Sequence, residues 1–139
     1  MKYLALILSL SFSIARAEVS SEHFVTVGIH KLVTVSLREH QVSNGKGYSI
    51  VKSSSKGEIT ARKITANQYQ IFKKELEQIA ATTSKTQQRS VANSCTDPVI
   101  LGSKKKKNIT SFRTVCFENQ SDQAKKSLTQ WWSKVTREL

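Results

Sequence analysis

ITANQYQIFKKELEQIAA, residues 64–81, is the stretch on which the fold turns. Thr65 is placed to cap a helix, and Gln68 three residues later completes a capping box. Ile64 before the cap and Tyr69 at the fourth helical position form a hydrophobic staple. Tyr69, Phe72, Leu76 and Ile79 recur at three- and four-residue spacing, so they share one face. The spacing predicts an amphipathic helix over 66–81 with its apolar face turned to a core.

Before this helix the period changes to two. Phe24 to Val27 reads as a strand ended near Gly28. In Leu32 to Leu37, Val33, Val35 and Leu37 alternate with Thr34 and Ser36, as in a half-buried strand. Asn44-Gly45 with Gly47 signals a turn, Tyr48 to Val51 resumes a strand, Ser53 to Gly57 turns again, and Glu58 to Ile64 is a further strand. Together these predict an antiparallel meander.

After the helix, residues 82–94 are polar and read as a connection. Asp97-Pro98 opens a strand at Val99 to Leu101, Gly102 to Asn108 reads as a loop, and Ile109 to Phe117 returns as its partner, with Phe112 and Phe117 expected in the core. Asn119 or Ser121 can cap a last helix, with Asp122 favourable at its positive end. Ala124, Leu128, Trp131, Trp132, Val135 and Leu139 give its apolar stripe. Of the consecutive tryptophans one is expected in the core and the other at its margin or on a binding surface. The expected fold class is α+β: an antiparallel sheet of five to six strands with two amphipathic helices on one face.

The chain opens with a secretory pattern. Met1-Lys2 is a charged start, Tyr3 to Ile14 is apolar and uncharged, and Ala15-Arg16-Ala17 supplies small residues two apart. The run is too short for a spanning helix. The expected division is a signal peptide over 1–17, cut between Ala17 and Glu18, and a single exported domain over 18–139. The short, compact signal points to bacterial export, hence to a periplasmic or extracellular protein.

Export constrains the chemistry. Cys95 and Cys116 are the only two cysteines, and in an oxidising compartment they read as one disulfide. Closing that loop stabilises by on the order of 3 kcal/mol. The spacing is neither C-x-x-C nor a zinc pattern, so no metal or cofactor is expected. Of the 22 Lys and Arg, Lys2 and Arg16 lie in the first 17 residues, which leaves 20 against 10 carboxylates, a net charge of +10. Such a field favours anionic partners: an anionic polymer, an anionic membrane surface or an acidic protein.

No catalytic pattern stands out. The histidines are His23, His30 and His40. His23 and His40 could meet across a hairpin, but no carboxylate sits at triad spacing, and there is no phosphate loop or H-E-x-x-H. The sharpest local feature is Lys104-Lys105-Lys106-Lys107 between two strands. Four ammonium groups there repel, extend the loop and offer point charges to phosphates, sulfates or carboxylates. The loop lacks aromatics to stack on bases, so specific nucleic-acid readout is not expected. Asn108-Ile109-Thr110 and Asn119-Gln120-Ser121 match the glycosylation pattern, which matters only in a glycosylating host.

The order of elements is similar to that of small bacterial emfourin-type domains, inhibitors of metalloproteases. The residues that carry it are Thr65-Ala66-Asn67-Gln68 opening the helix, Asp97 before a hairpin and the closing helix from Leu128. The cysteine pair and the lysine run are not part of that pattern. The expected function is a non-enzymatic exported binding module that uses Lys104 to Lys107. The alternative is a hydrolase (protease) inhibitor that presents a disulfide-braced hairpin.

Overall fold

The computed structural model describes residues 18–83 and 95–139. The signal-peptide reading and most of the polar connection fall outside them. Six strands are formed: β1 (Val19–Val27), β2 (Val33–Val42), β3 (Gly45–Ser54), β4 (Ile59–Ile64), β5 (Pro98–Lys105) and β6 (Asn108–Cys116). Helix α1 (Ala66–Thr82) follows β4, and helix α2 (Asp122–Arg137) closes the chain. The strands make one antiparallel sheet in the order β4-β3-β2-β1-β5-β6. The expected α+β class stands.

Alternation assigns every strand residue to one of two faces. Val25, Val35, Leu37, Ile50, Val99, Leu101 and Val115 lie on the face that both helices cover. Tyr69, Phe72, Leu76 and Ile79 of α1 and Leu128, Trp131 and Val135 of α2 complete that core. The capping box is present. Gln68 N–H donates to Thr65 Oγ1 at 3.1 Å, and Thr65 N–H donates to Gln68 Oε1 at 3.0 Å. Ile64 packs against the core, as its place before the cap requires. Ser121 caps α2 by accepting from Ala124 N–H, while Asn119 lies in a short 3-10 turn. The tryptophans divide as expected. Trp131 is buried and donates its indole N–H to Phe72 O at 2.9 Å, so it fastens α2 to α1; Trp132 lies at the core margin.

Two arginines hold the helix ends. Arg113 of β6 donates to Ala80 O and Thr83 O at the C-terminus of α1. Arg62 of β4 donates to Glu138 O after α2 at 2.8 Å. A cation at a helix C-terminus satisfies carbonyls that lack an intrahelical partner and opposes the negative end of the dipole.

Three sequence expectations need correction. The strands are longer than their apolar cores: β1 begins at Val19, β2 continues to Val42, and Gly47, Ser53 and Ser54 belong to β3. Gly102 to Asn108 is not a loop. Glu22 and Ser21 of β1 pair with Lys104 and Lys105, and this backbone ladder carries β5 through the lysines despite their weak strand preference. His23 and His40 do not meet. His23 pairs with Leu37 on the helix-covered face, whereas His40 pairs with Val19 and Gly47 on the other.

Candidate functional site

The β5–β6 hairpin carries both features that the sequence singled out. At its base Cys95 and Cys116 are joined in a disulfide with Cα atoms 5.6 Å apart. Phe117 N–H donates to Asp97 O at 3.0 Å. The Glu118 carboxylate accepts from the amides of Thr96 and Asp97 and from the Thr96 hydroxyl. The Thr96 hydroxyl and amide hold the Glu118 carboxyl below its usual range; desolvation opposes them, and the Asp97 amide and Lys125 add lesser support. The segment that enters β5 is thus tied to the end of β6 covalently and by four hydrogen bonds. Cys95, Cys116 and Glu118 lie close together. Both sulfurs are committed to the disulfide and offer a metal no thiolate.

At the other end the four lysines part company. The hairpin turns in two residues, Lys106 and Lys107, between paired Lys105 and Asn108. Lys106 has φ of 58°, the left-handed conformation that so short a turn demands. Its amide is fixed to Ser20 O at 2.9 Å. Lys105, Lys106 and Lys107 are exposed, while Lys104 is half-buried, its ammonium 5.4 Å from the centre of the Phe24 ring. Such a contact contributes about 0.5–1 kcal/mol. Among the described residues no carboxylate pairs with any of the four. From Pro98 to Cys116 the hairpin contains Lys104, Lys105, Lys106, Lys107 and Arg113 and no Asp or Glu.

The sheet face away from the helices is the feature that sequence reasoning missed. Across it, one row runs Ala61, Val51, Ser36, Phe24, Gly102, Phe112 and the next Lys63, Ser49, Arg38, Glu22, Lys104, Ile109. Phe24 and Val51 are buried yet stand outside the helix-packed core. The Phe24 ring packs against Gly102, where a Cβ would collide with its Cζ. Arg38 and Glu22 neutralise each other at 3.4 Å. Phe112, expected in the core, is 56 % exposed and Ile109 is 58 % exposed. Phe117 does pack against the core.

Two smaller concavities lie elsewhere. Trp132, Phe117, Val27, Val99 and Leu128 line an apolar groove of about 210 Å³ beside the braced base. His23, Glu77, Ser103 and Arg113, together with Leu76 and Leu101, line one of mixed character and about 150 Å³. There the Ser103 hydroxyl shares a hydrogen bond with Thr110 and Arg113 is occupied by the end of α1.

No protein family, curated protein or solved structure gave a significant match to this chain. The comparisons thus give the emfourin-type likeness no support. Among the described residues no helix is long and apolar enough to cross a membrane.

Proposed function

We propose that this protein is an exported, non-enzymatic binding module that engages an anionic partner through the β5–β6 hairpin. The observation that carries this reading is the charge of the hairpin, which has five cations and no carboxylate, with Lys105, Lys106 and Lys107 exposed at its two-residue turn and Arg113 engaged by the end of α1. Bracing at the base supports it. A rigid hairpin loses less conformational entropy on binding than an extended loop. The disulfide suits an oxidising compartment and so agrees with export directed by residues 1–17.

Affinity built on exposed lysines is screened by salt. The protein is expected to be retained on immobilised heparin and to elute as salt rises. Replacing Lys104, Lys105, Lys106 and Lys107 together by Ser removes that retention. Unchanged elution of this variant overturns the reading.

The same bracing favours a second reading, a hydrolase inhibitor whose hairpin enters a protease cleft. Such a protein forms a stoichiometric complex with one exported protease that survives moderate salt, and it lowers that enzyme's activity in proportion to the complex formed.

A further inference from the structure

Charge is not the only property of the hairpin. Ile109 and Phe112 are three residues apart and would face opposite sides of a regular strand. They share a side because the register shifts: Ser103 pairs with Ser111 but Lys104 pairs with Ile109, which leaves Thr110 as an extra residue on β6. A bulge of this kind re-aims the side chains around it. The Thr110 hydroxyl, hydrogen-bonded to Ser103, holds it in place. The outcome is an edge strand on which two large, half-exposed apolar side chains stand beside Lys104 and just behind the Lys106-Lys107 turn.

An anionic polymer would use the lysines but gains nothing from Ile109 and Phe112. Both side chains stand exposed on the edge strand, outside the grooves described above. A bilayer uses both properties at once. Anionic headgroups attract clustered lysines, and apolar side chains enter the boundary between headgroups and acyl chains. Lysine stems can lie along that boundary with their ammonium groups in the phosphate layer.

We propose that the bulged edge of the β5–β6 hairpin docks on an anionic lipid bilayer, with Lys104, Lys106 and Lys107 on lipid phosphates and Ile109 and Phe112 inserted between headgroups. This inference rests on the anionic-binding reading and names its partner.

The test is partitioning of the processed protein onto phosphatidylcholine vesicles with and without phosphatidylglycerol, run beside heparin elution. Binding is expected only when phosphatidylglycerol is present. The double variant Ile109→Ser, Phe112→Ser should partition about tenfold more weakly and leave heparin at the same salt as the parent. Each lysine replaced by Ser should cost about fivefold in partitioning and weaken heparin retention as well. Unchanged partitioning of the apolar double variant overturns the inference. So does a parent protein that stays off phosphatidylglycerol vesicles yet binds heparin, an outcome that leaves the anionic-binding reading standing. That reading fails separately if the four-lysine variant elutes from heparin like the parent. Residues 109 and 112 lie outside the core, and an unchanged circular dichroism spectrum checks that the variant is folded.

Discussion

The two faces of the sheet are built from the same strands, often from adjacent residues, and they obey different rules. On one face Val25, Val35, Leu37 and Ile50 meet two helices and are fully buried. On the other, hydroxyls dominate the middle, and Thr26 and Thr34 share a hydrogen bond at 2.8 Å. Ions line its upper row, and Phe24 and Val51 are buried apolar side chains outside the helix-packed core. The first face is decided by the area it removes from water. The second is left solvated and can answer to something outside the chain. Most of the stability is thus assigned to one side of the pleat, so most substitutions on the open side should spare it.

The sharpest way to break this contrast is to cut one large aromatic side chain on each side of the sheet. Trp131→Ala should lower unfolding stability by about 3–5 kcal/mol, because it opens a cavity between the helices and deletes the bond to Phe72. Phe112→Ser should stay within about 0.5 kcal/mol of the parent. Urea denaturation measures both, and comparable losses would show that the open face is covered after all. Next in size is the seam between the faces. Cys95→Ser should cost about 3 kcal/mol, and adding a reductant to the parent should give a loss of the same order.

Gly102→Ala sharpens the comparison from the other side, since the open face has one tightly packed spot. A Cβ there collides with the Phe24 ring, and overpacking of this kind costs about 1–3 kcal/mol. Combining it with Phe24→Leu should give less than the sum of the two single losses, because the substitutions share one contact. A strictly additive pair would mean that the ring does not rest on Gly102.

The smallest expected effect is titration. His23 on the covered face and His40 on the open one both have pKa values lowered from 6.5. Burial is the main cause in each, followed by Lys73 for His23 and Arg38 for His40. Around His23, Glu77, Glu39 and Glu22 oppose the shift. Around His40, Lys63 adds to it and Glu39 opposes it. The folded protein favours the neutral imidazoles, so the unfolded chain takes up these protons first. Their contribution is complete above pH 6.5 and is lost as pH falls through the folded values. Stability measured from pH 7 downward should decline, and His23→Gln should flatten that slope more than His40→Gln, since His23 is the more buried.

The covered face was legible because burial writes its period into the sequence. The alternation in Leu32 to Leu37 and the three-four spacing after Thr65 needed no other information. The open face was not legible, because alternation does not say whether the second side meets solvent or another layer. Phe112 therefore read as core. The lysine run read as a loop because glycine and lysine are poor strand formers, while the pairing with Ser21 and Glu22 that overrides them is contributed from some 80 residues away. The bulge at Thr110 left no local signal either, and it alone sets Ile109 beside Phe112. The disulfide was legible for the plainest reason, that two cysteines allow a single pairing.

The bond at the hairpin base closes residues 95–116 into a covalent ring, and all four lysines of the run lie inside it. A trypsin-like cut after Lys105, Lys106 or Lys107 would therefore open the backbone without separating the pieces. The product would be a two-chain protein, β5 on one chain and β6 on the other, still paired strand to strand and visible as two fragments only after reduction. The exposed tip thus lies within the ring, where a single nick leaves the molecule in one piece.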